Sequence, residues 1–271
     1  MIFYRKYLPI LELRPHISWF YILEHQVSGG DFIELPATAN PATALVFNYG
    51  DRYHLSNSHY QHELLPRHFF SGVSTEPYKI SLSGRTGSLG VIFRTNTFRK
   101  ICRLADPETY LDKRLDAELL LGKKMDGFPD ALAAAPTPDD KIRLANRFFL
   151  NLFKPILQEL TTADHIMGTI LDARGLLDMD DLSAKFHISP RHLRRLFSGH
   201  NGLSPKFYAR LKRFGYARYR FGSADFNWRE LLTANGFYDQ AHLIKEFRMF
   251  SGTLPKLHRQ VIEKFDYQEE E

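Results

Sequence analysis

Residues 189–205 of this chain read SPRHLRRLFSGHNGLSP, and residues 239–255, fifty positions later, read DQAHLIKEFRMFSGTLP. The two stretches are copies of one pattern, because identical residues recur at the same places: His192 and His242, Leu193 and Leu243, Phe197 and Phe247, Gly202 and Gly252, Pro205 and Pro255. Self-similarity at a fixed period indicates a repeated supersecondary unit. The repeat therefore predicts a helical domain with two copies of one unit.

The first copy predicts two short helices joined by a tight turn. The first helix covers residues 179–186, and residues 187–188 form the turn. Ser189 is a good N-cap for the second helix, and Pro190 suits its first position, where a missing N–H costs nothing. One face of this helix is apolar and the opposite face carries Arg191, Arg194 and Arg195. Helix, turn and a second helix with a cationic face is the helix-turn-helix arrangement, whose second helix enters the major groove.

The second copy predicts the same unit. Residues 228–235 form its first helix, residues 236–238 form the turn, and Asp239 caps a helix that turns Leu243 and Phe247 inward. Between the copies, residues 205–221 read as a basic helix that holds the two units at a fixed separation.

These residues resemble the C-terminal domain of the AraC/XylS family of bacterial transcription regulators. The resemblance rests on Ser189–Phe197 and Gly202–Pro205 in the first unit, and on Gly236–Phe247, Gly252–Pro255, His258 and Arg259 in the second. It covers about 100 residues. The sequence departs from the family pattern at four places: His187 for a small turn residue, Leu232 for Ala, Leu243 for Phe and Lys245 for Arg. Leu232 and His187 indicate altered packing at the turns.

The resemblance implies two recognition helices that face successive major-groove segments of double-stranded DNA. An Arg side chain can donate two hydrogen bonds to guanine, and Gln can form a hydrogen-bonded pair with adenine. An apolar side chain can contact the thymine methyl group. The predicted base contacts are Arg191, Arg194, Arg195, Gln240, Ala241, Ile244 and Lys245. The predicted phosphate contacts are Ser189, His192, Lys206, Arg210, Lys212, Arg213, His242 and Arg248.

The charge distribution agrees with a nucleic-acid partner. Residues 166–267 hold 17 Lys and Arg against 10 Asp and Glu, whereas the rest of the chain is slightly acidic. A base-rich C-terminal part is expected if that part meets a polyanion.

The first 93 residues predict several short strands bounded by turn formers. They resemble the cupin-like sensing domain that precedes the DNA-binding domain in one branch of the family, through Leu35–Pro36, Leu45–Asn48 and Leu89–Arg94. This resemblance implies a β-rich domain with an effector cavity, and often a homodimer. Residues 131–140 predict an exposed connection, and Asp139 or Asp140 caps a helix that runs to about residue 160.

The predicted fold class is therefore α+β: a β-rich, cupin-like N-terminal domain and an all-α C-terminal domain. We expect an effector-sensing domain at 1–135, a helical linker at 136–165 that packs on the core or forms a dimer seam, and the double helix-turn-helix domain at 166–267.

One histidine-rich cluster invites a metal-binding hypothesis: His54, His59, His62, Glu63 and His68. Imidazole and carboxylate groups suit zinc, iron or nickel. The spacing matches neither the His-x-His pair of metal-binding cupins nor a helical His-Glu-x-x-His zinc motif, so the sequence favours a polar loop and no metal or other cofactor.

Other functional classes receive little support. The single cysteine, Cys102, excludes a disulfide framework, and neither a signal peptide nor a membrane-spanning run is present, which favours a cytoplasmic protein without a membrane partner. No glycine-rich phosphate loop or Gly-x-Ser-x-Gly elbow indicates catalysis, so we expect no catalytic residues and no enzyme. Two alternatives stay open: a metal-dependent cupin enzyme fused to a DNA-binding domain, and a regulator whose N-terminal domain only dimerises or binds a protein.

Overall fold

A β-rich N-terminal part precedes a helical C-terminal part in the computed structural model of the chain. The structure describes residues 2–26, 32–102, 104, 106–157, 160–222, 231–232, 236–255 and 265–268. Most of the helix predicted at 228–235 lies outside these residues, as do His258 and Arg259. Within it, Leu231 and Leu232 are helical. The predicted fold class, α+β with two parts, is confirmed.

Two sheets face each other in the N-terminal part. Its strands are β1 (Ile2–Tyr7), β2 (Ile17–Gln26), β3 (Ile33–Ala37), β4 (Ala44–Asn48), β5 (His54–Ser56), β6 (Glu63–Leu64), β7 (His68–Ser71), β8 (Tyr78–Leu82), β9 (Arg85–Phe93) and β10 (Arg114–Asp116). The larger sheet has the order β10-β7-β4-β9-β2-β1, followed by a C-terminal strand β11 (Phe265–Gln268) that pairs in parallel with β1. The smaller sheet has the order β3-β8-β5-β6.

Strand β4 shows how the larger sheet separates two apolar layers. Leu45 and Phe47 point to one face and join the main N-terminal core, whereas Val46 points to the other face and packs with the smaller sheet. Successive side chains of a strand face opposite sides, so a run that is apolar throughout must be covered on both faces. Helices cover the first face, and the smaller sheet covers the second.

Four helices cover the outer face of the larger sheet: α1 (Thr97–Cys102), α2 (Ala117–Leu121), α3 (Phe128–Ala134) and α4 (Pro138–Phe153). The expectation of an exposed connection at 131–140 is wrong over its first half, because α3 turns Leu132 fully into the core. Helix α4 is capped by Thr137 instead of Asp139 or Asp140 and ends at Phe153. Threonine is also a preferred capping residue, and the Thr137 hydroxyl accepts a hydrogen bond from the backbone N–H of Asp140 at 3.2 Å.

The apolar stripe of α4 belongs to the N-terminal core. Ile142, Ala145, Phe149 and Phe153 are all buried in the same cluster as the inner residues of the larger sheet. These four residues are therefore covered within the chain, in keeping with the core-packing alternative for the 136–165 segment.

The C-terminal part is built from α5 (Thr162–Asp172), α6 (Met179–Lys185), α7 (Pro190–Asn201), α8 (Pro205–Gly222) and α9 (Gln240–Ser251). Their inward side chains form one cluster around Phe214 of α8. Ala39 and Val73, from loops of the N-terminal part, belong to the same cluster. The apolar core of the C-terminal part therefore continues into the N-terminal part.

Among the described helices, none has the length and apolarity needed to cross a membrane.

Replacing Phe149 by alanine should lower the free energy of unfolding by about 3–5 kcal/mol, because Phe149 is fully buried among Phe20, Phe47 and Phe153. Urea denaturation monitored by circular dichroism measures this loss. Arg147→Ala, on the exposed side of the same helix, should change the free energy by less than about 0.5 kcal/mol. A loss below about 1 kcal/mol for Phe149→Ala would show that α4 does not pack on the sheet as described.

Candidate nucleic-acid interface and cavity

Helix α7 forms where the sequence predicts the first recognition helix. The Ser189 side chain accepts a hydrogen bond from the backbone N–H of His192 at 3.2 Å, and Pro190 occupies the first turn. Gly202 ends the helix in the left-handed conformation with φ of 81°. The predicted cap at Ser189 and the predicted place of Pro190 in the first turn are thus confirmed.

The polar face of α7 is free of contacts with the core. Leu193 and Phe197 are buried, whereas the predicted DNA-contacting side chains Arg191, His192, Arg194 and Arg195 are exposed. Three guanidinium groups on one exposed face, opposite an apolar face, form a surface that can bond base edges and phosphates of DNA.

Helix α9 repeats this geometry in the second unit. The Asp239 side chain accepts a hydrogen bond from the N–H of His242 at 2.7 Å, and Leu243 and Phe247 are fully buried. The exposed predicted contacts are Gln240, Ala241, Lys245 and Arg248. Ile244 is half-buried, and the half-buried His242 ring lies against Phe237 with Nε2 3.8 Å from Glu246 Oε1.

The turns of the two units differ by one residue. The left-handed position is His187 in the first unit, two residues before the cap, with φ of 53°. In the second unit it is Gly236, three residues before the cap, with φ of 59°. A side chain other than glycine is strained in this conformation. The departure of His187 from the family pattern therefore has a local energetic cost.

The predicted phosphate contacts on α8 have different surroundings. Lys206 is exposed. Arg210 forms an ion pair with the buried Glu246 of α9, 2.6 Å between Nη2 and Oε1. Arg213 stacks over the Phe237 ring at 5.0 Å and donates to the Gly236 carbonyl. Lys212 is half-buried, and burial lowers its pKa to about 8. Arg210 and Arg213 are thus engaged within the protein, which the sequence pattern did not indicate.

Tyr238 is an exposed aromatic residue that the sequence reasoning missed. It directly precedes the cap of α9, and 92% of its surface is exposed. The equivalent residue of the first unit, Ile188, is half-buried against the helical core. The repeat itself gives this signal, because a large aromatic replaces a packed aliphatic residue at the same position.

A cavity of about 310 Å³ lies between the two sheets of the N-terminal part. Its wall is mainly apolar and aromatic, with Trp19, Tyr21, Tyr53, Phe69 and Tyr78 among the lining residues. Pockets that hold small ligands have this size and character.

Two arginines line this cavity without a carboxylate partner among the described residues. Arg114 is buried, donates to Ser74 Oγ at 3.0 Å and lies over the Tyr78 ring at 4.8 Å. Arg218 comes from α8 of the helical part, and its Nε is buried without a hydrogen-bond partner. A buried cation without a counter-ion is costly. The cavity is therefore suited to a ligand that carries an anionic group.

The predicted histidine cluster is divided between the two sheets. The rings of His54 and His62 stack at 4.4 Å on the smaller sheet, whereas His68 is buried in β7 of the larger sheet, where burial lowers its pKa to about 4. The expectation of a polar loop is thus wrong for His54, Glu63 and His68, which lie in strands. Among the residues described by the structure, no three His, Cys, Asp or Glu side chains come together as a metal site.

Two domain families match the chain. Residues 5–116 match a family described as a domain of unknown function (DUF6597), and residues 182–260 match a family described as a helix-turn-helix domain. No curated protein sequence matches the chain.

The fold is similar to that of ToxT from Vibrio cholerae. An apo ToxT variant aligns with a TM-score of 0.53 at 9% identity, over 89% of this chain and 97% of ToxT. ToxT bound to (E)-4-(8-methylnaphthalen-1-yl)but-3-enoic acid aligns with a TM-score of 0.52 at 10% identity, over 90% and 99%. Wild-type ToxT with a bound unsaturated fatty acid gives 0.50 at 11% identity, over 89% and 95%. At such low identity the likeness establishes the shared fold.

Replacing His187 by glycine should raise the free energy of unfolding by roughly 0.5–1 kcal/mol, because glycine adopts positive φ without steric cost. His187→Ala keeps a Cβ atom and should give no gain. Thermal unfolding of the three proteins tests this. Equal stability of the glycine and alanine variants would show that position 187 is not strained.

Proposed function

We propose that this chain, whose residues 182–260 match a helix-turn-helix domain family, is a transcription regulator of the AraC type. It would read two blocks of double-stranded DNA under the control of a small molecule. The main support for this proposal is the pair of equivalent helices, α7 and α9, whose apolar faces are buried and whose polar faces are exposed. Two recognition helices in one chain can face two successive major-groove segments of the same duplex.

Each recognition helix has a different chemistry for its bases. Arg191, Arg194 and Arg195 on α7 suit guanine, since a guanidinium group donates to O6 and N7 together. On α9, Gln240 suits adenine, Ala241 and the exposed edge of Ile244 suit a thymine methyl group, and Lys245 suits guanine or a phosphate. The regulator would therefore prefer a G-rich block for α7 and an A/T-containing block for α9.

The remaining predicted contacts position the duplex. Ser189, His192, His242 and Arg248 lie on or beside the recognition helices, and Lys206 lies at the start of α8. Phosphate contacts of this kind fix register and supply most of the salt-dependent affinity. Arg210 and Arg213 contribute mainly through the protein contacts described above, and Lys212 stays a predicted phosphate contact.

The effector is an apolar molecule with an anionic group. The aromatic wall of the cavity would bury the apolar body, and Arg114 and Arg218 would offset the negative charge. ToxT, which shares the fold, has been crystallised with two such molecules, an unsaturated fatty acid and an aryl-butenoic acid. In this organisation the segment before residue 136 senses the effector, 136–165 connects, and 166–267 binds DNA. A homodimer stays a prediction.

Selection from a pool of random duplexes tests DNA reading. The wild-type protein should enrich a motif with two blocks about one helical turn apart. Arg195→Ala should lose about 1–3 kcal/mol of affinity at one base position of the first block and relax the preference there. Lys206→Ala, the matched exposed cation, should weaken specific and random DNA alike and reduce the salt dependence. No enrichment, with and without added fatty acid, would contradict the proposed function.

Fluorescence of Trp19 in the cavity tests the effector class, in a Trp228→Phe background that leaves one tryptophan. Oleate and naphthaleneacetate should quench or shift this emission, and their methyl esters should bind at least about tenfold more weakly, because a charged hydrogen bond is worth about 1.5–3 kcal/mol. Arg218→Gln should remove most of this preference for the acid. Arg220→Gln, a cation of the same helix that does not line the cavity, should leave it unchanged. Equal binding of acids and esters would rule out an anionic effector.

A further inference from the structure

The same corner of each helix-turn-helix unit contacts the N-terminal domain. His200 and Phe250 are equivalent positions of the fifty-residue repeat, near the C-terminal ends of α7 and α9. The backbone carbonyl of each accepts hydrogen bonds from the N-terminal domain. The last four carbonyls of a helix have no partner within the helix, so an external donor determines how such an end is held.

Side chains hold the corner of the first unit. Asn96 Nδ2 donates to the His200 carbonyl at 2.6 Å, and Arg99 Nη1 donates to the same oxygen at 2.9 Å and to the Gly199 carbonyl at 3.3 Å. Asn96 is buried. The positive charge of Arg99 also suits the negative end of the helix dipole.

A backbone group holds the corner of the second unit. The N–H of Ala39 donates to the Phe250 carbonyl at 2.8 Å. Ala39 is buried in the same apolar cluster as Phe250. This contact therefore combines a direct hydrogen bond with continuous apolar packing.

The glycine that ends each recognition helix meets a proline of the N-terminal domain. A Cβ atom on Gly202 would lie 3.0 Å from Pro107 Cβ, and one on Gly252 would lie 3.3 Å from Pro77 Cγ. Gly202 and Gly252 are equivalent in the repeat. Each unit thus presents one corner, made of a carbonyl and a glycine, to a site made of a hydrogen-bond donor and a proline.

We infer that the N-terminal domain is a brace that sets the separation of the two recognition helices by binding the equivalent corner of each unit. Asn96, Arg99 and Ala39 are its positioning residues, which act on DNA reading without touching DNA. The inference rests on the proposed function. It adds that the spacing between the two DNA blocks is enforced by the N-terminal domain as well as by α8.

The second contact lies in the wall of the effector cavity. Thr38 and Asn40, on either side of Ala39, both line the cavity. Asn40 is paired through its backbone with Ser74, whose hydroxyl accepts from Arg114. The contact with α9 is therefore connected to the cavity through Asn40, Ser74 and Arg114.

Binding to DNA of altered spacing tests the brace with the full-length protein. The duplex carries the two selected blocks at their selected spacing, or with one base pair inserted or deleted, which moves one block by about 3.4 Å and about 35°. Wild-type affinity should fall at least about tenfold with either change. Two variants remove one contact each: Asn96→Ala/Arg99→Ala, and Ala39→Pro, which lacks the donating N–H. For each of them, the affinity for DNA of altered spacing should be no more than about threefold below its affinity for DNA of the selected spacing.

Matched controls separate bracing from general destabilisation. Ala39→Gly keeps the N–H and should retain the wild-type spacing dependence. Arg94→Ala removes a contact with Asp172 at the end of α5 that belongs to neither corner, and should also behave as wild type. Circular dichroism verifies folding, and if Ala39→Pro does not fold the Asn96→Ala/Arg99→Ala protein decides.

Two results would overturn the inference. If the wild-type protein binds DNA of altered spacing as tightly as DNA of the selected spacing, the two recognition helices have no fixed separation. If the wild type and the variants that lack a corner contact show the same dependence on spacing, α8 and its core alone set the separation. Failure to select any DNA motif would instead count against the proposed function.

Discussion

Burial of the aromatic residues of α8 is the constraint on which the helical domain depends. Phe214 packs against Phe247 and Phe250 at 5.0 and 5.3 Å, and Tyr208 packs against Phe197 at 5.3 Å. One helix thus contacts the inward faces of both recognition helices, neither of which can bury its apolar face within its own short unit. With those faces inward, the arginines of α7 and the polar residues of α9 have no place except the surface. The candidate DNA-binding surface is a consequence of this packing.

Helix α8 also links the two domains, because its turns face different neighbours. Arg210 and Arg213 contact the second unit, whereas Arg218 reaches the cavity between the sheets. Asp164 adds a further contact near the first unit. Burial raises the pKa of its carboxyl group, but hydrogen bonds from His200 and Thr161 outweigh this effect, so the pKa lies below its usual range. The ammonium group of Lys100, from the N-terminal part, lies 3.3 Å from Asp164 Oδ2, so a carboxylate that stays ionised at neutral pH strengthens the junction of the two parts.

The sequence predicted local features well and contacts between distant segments poorly. Ser189, Pro190 and Gly202 specify their helix through nearest-neighbour chemistry, and the repeat revealed the inward positions of both units. The pairing of Arg210 with Glu246, the position of Arg218 in the cavity and the donors at 39, 96 and 99 join residues far apart in sequence. A basic helix has the same pattern whether its cations face solvent or a buried carboxylate. The terminal strand Phe265–Gln268 was missed for the same reason, since its partner is β1 at the other end of the chain.

The position of Cys102 gives the protein a native reporter of local opening. This thiol ends α1, three residues after Arg99, and burial raises its pKa to about 12. Alkylating reagents attack the thiolate, so in the closed molecule the reaction should be slow. Since Cys102 is the sole cysteine of the chain, every modification event is assigned without mutagenesis. The rate of labelling then measures how often the end of α1 opens from the N-terminal core, in free protein or on DNA.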